Sequence, residues 1–309
     1  MHVPRPLVDA GWLREHLHDP GLLIADVRWI NGGTEQEVRE AFAAGHIPGA
    51  VLLDVDRDLA APPGVRGRHP LPDPAAFASA MDRAGIGGPR HVVAYDDAGG
   101  SLAARLWWML DALGHPVSVL DGGMGSWVEP LQTGVSTEPP SAATFVSAPW
   151  PREAVVDPDE LTGILHEGSP PVLDARTRER YTGQSEPIDP VAGHIPGAGS
   201  APWQGNLHPQ TGLFLPAGQL RHRYEALGAD NGAVVYCGSG VTACHDLLAM
   251  RVAGIGGARL FEASWSGWVR DPGRPVATGP ETGVPVERPT PPARCWRAWA
   301  GAPARWWRR

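Results

Sequence analysis

The segment Val234-Val235-Tyr236-Cys237-Gly238-Ser239-Gly240-Val241-Thr242-Ala243 carries the strongest chemical content of this 309-residue chain. A β-branched run enters a loop of small residues, and the loop enters a helix. Gly238 and Gly240 permit positive φ and let backbone N–H groups converge. Such a nest at a helix N-terminus holds an anion, here a thiolate or a persulfide on Cys237. A cysteine at a strand end before a glycine turn is also a common buried packing residue, so the loop alone leaves both readings open. The other cysteines are Cys244, two helical turns along and read as a core residue, and Cys295 near the C-terminus. An odd number with no C-x-x-C pair argues against a disulfide framework and a paired-cysteine zinc site. A reducing compartment, the cytoplasm, is expected.

The elements that must position Cys237 emerge from an internal repeat. Ala44-Gly45-His46-Ile47-Pro48-Gly49-Ala50 recurs as Ala192-Gly193-His194-Ile195-Pro196-Gly197-Ala198, and the same shift maps Asp26-Val27-Arg28 onto Asp174-Ala175-Arg176. Val92–Asp96 lines up with Ala233–Cys237, and Gly125-Ser126-Trp127-Val128 with Ser266-Gly267-Trp268-Val269. The period is far too long for a solenoid and marks a duplicated domain. In the first copy the slot of Cys237 holds Asp96, so one copy keeps a nucleophile and the other does not.

Each copy reads as short strands alternating with helices. The first has strands over 22–26, 91–95 and 117–120, a helix over 35–44, and an amphipathic helix over 102–113 carrying Trp107 and Trp108. The second has strands over 172–174, 233–236 and 259–261 and a helix over 242–253. The N-terminal stretch to His18 reads as polar and helix-like. This alternation predicts an α/β fold with a mainly parallel sheet in each copy, and sites in such sheets form at the carboxyl ends of strands, where Cys237 falls. The expected organisation is a first domain over 1–135, a linker over 136–152, a second domain with the chemistry over 153–279, and a tail over 280–309.

Composition bounds the partners. A hydrophobic content of 42% supports packed cores, and a formal net charge of -8 argues against nucleic acid. No apolar run approaches the roughly 18 residues that read as a membrane span. All 26 basic residues are Arg, so any fixed cation for an anionic substrate must be a guanidinium.

The two Gly-His-Ile-Pro-Gly-Ala turns, the Cys-Gly-Ser-Gly-Val-Thr loop and Trp265-Ser266-Gly267-Trp268 together resemble the tandem-domain rhodanese family of thiosulfate and 3-mercaptopyruvate sulfurtransferases, over residues 5–279. The resemblance implies an inactive first domain and a catalytic second one. It implies that Cys237 takes a sulfane sulfur from a small donor and passes it, as a persulfide, to cyanide or a thiol acceptor such as a thioredoxin-like protein. This is covalent catalysis in two half-reactions, with no metal or organic cofactor required. Gly238, Ser239, Gly240, Val241 and Thr242 would form the substrate loop, in the pattern of the mercaptopyruvate type. Ser239 would act with His69 and Asp56, reaching across from the first domain as a proton relay. Arg180 matches the substrate arginine, whose planar fork suits a carboxylate.

One departure stands out. Where mercaptopyruvate enzymes carry a second arginine in a Glu-Pro-Arg triplet, this chain has Glu186-Pro187-Ile188, which keeps thiosulfate open as the donor. His46 and His194 read as turn residues, and Glu262 and Trp265 as packing residues near the loop. Rhodanese-like phosphatases need Cys-x5-Arg, and Ala243 stands where that Arg would be. A non-catalytic binding module suits the first copy but not the second. The tail, rich in Pro, Arg and Trp, has no counterpart in the family and reads as a disordered basic arm.

Overall fold

The computed structural model describes residues 3, 6–134 and 143–283. The first copy runs β1 (Leu7–Val8), α1 (Ala10–His16), β2 (Leu22–Arg28), α2 (Glu35–Ala44), β3 (Val51–Asp54), α3 (Val55–Asp58), α4 (Pro74–Arg83), β4 (His91–Tyr95), α5 (Ala103–Ala112) and β5 (Val117–Leu120). The second runs β6 (Val155–Val156), α6 (Pro158–Glu167), β7 (Val172–Asp174), α7 (Arg178–Thr182), β8 (Gly199–Ser200), α8 (Ala217–Glu225), β9 (Val234–Tyr236), α9 (Ala243–Val252), β10 (Arg259–Phe261) and α10 (Ser264–Trp268). Each copy forms a five-stranded sheet, β1-β5-β4-β2-β3 and β6-β10-β9-β7-β8, and every pairing is parallel. Strand β2 is buried at all seven positions, as a strand with both faces covered must be.

Several elements differ from the sequence expectation. Each sheet has two strands more than expected, because β1, β6 and β8 are two residues long and β3 follows directly on the Gly-His-Ile-Pro turn. Runs that short carry no readable alternation. The N-terminal stretch opens with an edge strand, and its helix is confined to Ala10–His16. Helix α5 is not amphipathic: every residue from Ala103 to Leu110 is buried. It lies between its own sheet and α9 of the second copy, and a helix covered on all sides needs no polar face. One apolar cluster accordingly runs from Val92 and Leu106 in the first copy to Val235, Cys237 and Leu248 in the second.

The duplicated motifs fit together as one structural device. Arg28 bonds both carboxylate oxygens of Asp26 and donates to Gly45 O at 2.7 Å; Arg176 likewise grips Asp174 and donates to Gly193 O at 2.6 Å. The Ile47 and Ile195 N–H groups donate to Tyr95 and Tyr236 hydroxyls. His46 Nδ1 lies 2.9 Å from Phe42 O, and His194 Nδ1 2.8 Å from Tyr181 O. Both histidines therefore tie a turn to the preceding helix. Within the stretch read as a linker, Phe145 N–H donates to Asp82 and Trp150 Nε1 to Pro72 O, which ties these two residues to the first copy, while Arg152 O accepts from Arg259 of the second. The tail beyond residue 283, with Cys295, lies outside the described residues.

A buried polar cluster joins the copies behind α9. His245 Nε2 donates to Gly99 O at 3.2 Å, while its Nδ1 accepts from Asn206 Nδ2. The same Asn206 nitrogen donates to Asp246 Oδ1 at 2.6 Å, and Asn206 Oδ1 accepts from Tyr224 OH at 2.9 Å. Burial pushes His245 down to about 3 and the Asp246 carboxyl up to about 7, the latter despite Arg223. The two groups load stability in opposite senses. His245 stays neutral in the fold, so its contribution is full above the unfolded value near 6.5 and is lost as pH falls toward 3. Asp246 stays protonated in the fold, so its contribution is full below 3.8 and is lost as pH rises through about 7. Relative to the parent protein, His245→Gln should gain on the order of 2 kcal/mol between pH 7 and pH 5, and Asp246→Asn should lose about as much. Thermal unfolding at both pH values checks this, and parallel profiles for all three proteins would refute it.

Candidate active site

Cys237 follows directly on β9, and six residues later α9 begins. Its side chain is buried, and its Sγ accepts the Gly240 N–H at 3.1 Å. Gly240 sits at φ +81, and a Cβ there would stand 2.7 Å from Glu262 O, so only glycine fits the turn. The Cys237 N–H donates to Ser264 Oγ at 3.1 Å, and Ser264 Oγ donates to Phe261 O at 3.0 Å. Ser264 holds φ 51, the one non-glycine residue with positive φ among those described. Its hydroxyl offsets that strain by pinning the backbone of the thiol. The Cys237 and Gly238 carbonyls accept from Trp265 and Ser266 N–H groups, both at 2.9 Å. The first turn of α10 thus clamps the loop. Nothing in the sequence distinguishes Ser264 from any other serine.

The first copy shows what this cradle does. Asp96, at the end of β4, places its carboxylate on the N–H groups of Ala98, Gly100, Leu102 and Ala103 at 2.7–2.9 Å. Burial nonetheless holds that carboxyl above its ordinary range. The first copy fills its anion cradle with its own side chain, whereas Cys237 is shorter and makes a single N–H contact.

His69, Ser239 and Asp56 come together. His69 Nδ1 lies 2.7 Å from Ser239 Oγ, and its Nε2 2.9 Å from Asp56 Oδ1. A carboxylate only accepts, so Nε2 supplies the proton of that contact, and Nδ1 is left facing the serine hydroxyl. Trp29 Nε1 donates to Asp56 Oδ2 at 3.0 Å, and its ring meets His69 edge-on. Burial alone would raise the Asp56 carboxyl, but the contacts from His69 and Trp29 hold it below the usual range. Val241 is buried and Thr242 half-buried at the start of α9. Cys244 is a core residue whose thiol burial pushes up to about 12, and its Sγ–H donates to Gly240 O.

Arg180 lies in the middle of α7, held by Glu186 through Nε and Nη2 at 3.1 and 2.7 Å and by Asp189 at 3.2 Å. Its guanidinium faces Gly238: a Cβ there would lie 3.3 Å from Nη2 and 3.4 Å from Nη1. Arg68, from the first copy, comes closer still, with Nη2 at 2.7 Å from the same point. Arg68 also pairs with Asp189 Oδ1. In the sequence Arg68 is simply a neighbour of His69. Glu262 does more than pack: it accepts from Arg66 at 3.2 Å and from the Leu71 N–H at 2.8 Å, both across the domain boundary. Trp265 is fully buried, with Arg176 over its ring at 4.6 Å.

Arg105 is a further residue that sequence reasoning missed, because an Arg inside an apolar helix has no motif around it. Fully buried on α5, it donates to Gly240 O at 3.1 Å, His69 O at 3.2 Å and Leu59 O at 3.4 Å. One side chain therefore ties the Cys237 loop to the segment that carries His69.

A rhodanese-like domain matches residues 9–130 and again residues 157–271. A probable 3-mercaptopyruvate sulfurtransferase of Pseudomonas aeruginosa is 44% identical over 283 residues, 88% of this chain and 98% of that protein. A putative thiosulfate sulfurtransferase of Mycobacterium tuberculosis is 38% identical over 264 residues, 83% of this chain and 90% of that one. The crystal structure of the Escherichia coli 3-mercaptopyruvate enzyme superposes with a TM-score of 0.73 at 33% identity, covering 85% of this chain and 100% of that one. The chain belongs to the rhodanese family. Its fold is the tandem arrangement of two such domains.

Replacing Arg105 by Met should leave the His69 and Leu59 carbonyls buried without a donor and the Gly240 carbonyl with only the weak Cys244 Sγ–H. At roughly 1–3 kcal/mol for each carbonyl left without a donor, stability should fall by at least about 2 kcal/mol, and Cys237 should become more reactive to alkylating reagents as its loop loosens. Denaturant unfolding and alkylation rates measure both; an unchanged midpoint would show that Arg105 holds nothing in place.

Proposed function

We propose that this protein takes sulfane sulfur from 3-mercaptopyruvate onto Cys237 and passes it on to cyanide or a thiol. That it is an enzyme of the sulfurtransferase class rests on its relatives. The observation that carries the donor is the Asp56–His69–Ser239 chain of contacts beside the thiol. A keto acid whose C–S bond breaks needs a proton moved from its sulfur to its carbon, and a serine–histidine pair can move it. Thiosulfate has no proton to relocate.

The proposed steps balance. The Cys237 thiolate attacks the donor sulfur, an S–S bond forms and the C–S bond breaks. The electron pair passes to C3 as the pyruvate enolate. Ser239 and His69 take up the thiol proton and return it to that carbon, with Asp56 orienting the ring. Pyruvate leaves, and the persulfide stays in the cradle whose counterpart holds the Asp96 carboxylate. Arg180 holds the donor carboxylate. Gly238, Gly240, Val241 and Thr242 shape the loop. A nucleophile then takes the terminal sulfur and restores the thiolate, which predicts ping-pong kinetics.

A thioredoxin-like dithiol is the proposed cellular acceptor, and a reducing compartment such as the cytoplasm suits the free, buried Cys237 and Cys244. No helix among the described residues is long and apolar enough to cross a membrane. Thiosulfate as main donor is the second reading, favoured by Ile188 in place of an arginine.

Steady-state turnover with each donor and cyanide as acceptor tests this. Mercaptopyruvate should give the larger kcat/KM, Cys237→Ser should abolish turnover, and Ser239→Ala should lower kcat with mercaptopyruvate about 10- to 1000-fold while sparing thiosulfate. Equal losses with both donors would remove the proton relay.

A further inference from the structure

Ile188 leaves the second domain one guanidinium short of the pair expected for a carboxylate. Its backbone N–H donates to Glu186 Oε1 at 3.1 Å, and its apolar side chain has no donor for an anion. Across the domain boundary, however, Arg68 approaches the residue next to Cys237 more closely than Arg180 does. Gly238 has no side chain, and the space where one would begin is bounded by both guanidinium groups.

The two arginines are fixed in a way that leaves one nitrogen of each available. Asp189, itself buried, takes Arg68 through Nη1 and Arg180 through Nη2. Glu186 takes Nε and Nη2 of Arg180. Arg68 Nη2 and Arg180 Nη1 have no protein acceptor among the described residues, and both lie within 3.4 Å of the missing Gly238 Cβ. Neither side chain is free to swing into solvent, at 12% and 15% exposure. The backbone of Arg68 is held as well, its N–H donating to Ser266 Oγ at 3.0 Å. Arg270 lies within electrostatic range of Arg68 and Asp189. Arg176 is taken up by Asp174 and Glu186 on the far side of Arg180.

We propose that Arg68 and Arg180 together bind the anionic head of the sulfur donor, one from each domain, with Arg68 supplying the contact that position 188 lacks. This rests on the donor reading above for the identity of that head, a carboxylate; the sulfonate-like end of thiosulfate offers the same oxygen acceptors. Two N–H donors converging on one point, one from each domain, suit the two oxygens of a carboxylate. Since His69 is the next residue, the segment that contacts the donor's charged end also carries the ring that contacts Ser239. Donor recognition and proton transfer would then both depend on the same interdomain contact.

Calorimetric binding of 3-mercaptopyruvate and of thiosulfate to the unreactive Cys237→Ser protein tests this, alone and combined with Arg68→Met, Arg68→Lys or Arg66→Met. Asp189 keeps Arg180 as a partner when Arg68 is lost, so the fold should survive, which thermal unfolding verifies; should Arg68→Met misfold, Arg68→Lys decides. Arg68→Met is expected to weaken the donor at least tenfold. Arg68→Lys should lie between, since an ammonium keeps the charge but not the fork. Arg66→Met, which cuts a neighbouring interdomain bond to Glu262 away from Gly238, should stay within twofold. A smaller loss in Arg68→Met, or an equal one in Arg66→Met, overturns the proposal. If thiosulfate alone binds, the donor reading falls and Arg68 is judged on thiosulfate. If neither anion binds at millimolar concentration, both fall.

Discussion

The chemistry proposed at Cys237 depends on an apolar seam between the domains that reaches the thiol itself. Helix α5 of the first domain and α9 of the second are packed together, and both are buried along most of their length. Burial of side chains such as Leu106, Met109, Leu248 and Met250 is the non-directional part of this attachment, at about 25 cal/mol per Å² of apolar surface removed from water. Direction comes from polar contacts that the seam keeps away from water. Arg105 reaches three carbonyls on two domains, and Glu262 holds Arg66 and the Leu71 N–H. With the Arg68 N–H on Ser266 Oγ and the Leu71 N–H on Glu262, the segment that carries Arg68 and His69 is held at the Cys237 loop.

Duplication followed by asymmetry explains the division of labour. Both copies build a strand, a tight loop and a helix, and in the first the N–H groups of that loop and helix surround a carboxylate. In the first copy Asp96 supplies that anion permanently, which closes the cradle and makes the loop a rigid support for α5. In the second the slot holds a sulfur. The first copy then provides His69, Arg68 and Arg105, which touch or face groups of the second, and Asp56, which holds His69.

Buried charge is abundant around the site and is organised to hold geometry. Asp174, Arg176, Glu186, Arg180 and Asp189 form a connected series of ion pairs. Desolvating such groups costs about as much as their attraction returns, so their net stabilisation is small. What they provide is orientation: a guanidinium gripped on two sides keeps its remaining N–H groups aimed at Gly238.

Local signals made much of this protein legible. The strand–glycine loop–helix around Cys237, the twin Gly-His-Ile-Pro-Gly-Ala turns and the parallel α/β character are all written in contiguous residues, whose φ/ψ preferences and burial pattern act over a few positions. Two-residue strands and the buried character of α5 were not, since pairing and covering partners lie elsewhere in the chain. The resemblance pointed to His69 and Asp56, but Arg68, Arg105, Trp29 and Ser264 were silent, each an ordinary residue type in an ordinary context. Their importance arises from contacts such as Arg105 with Gly240, 135 residues apart, or Arg68 with Asp189, 121 apart. The sequence by itself determined the strand, the glycine loop and the helix start around Cys237. Only the packing of one domain on the other decided which side chains stand around that loop, because contacts at such separations are set by how whole helices bury their surfaces and not by any preference of the residues that meet.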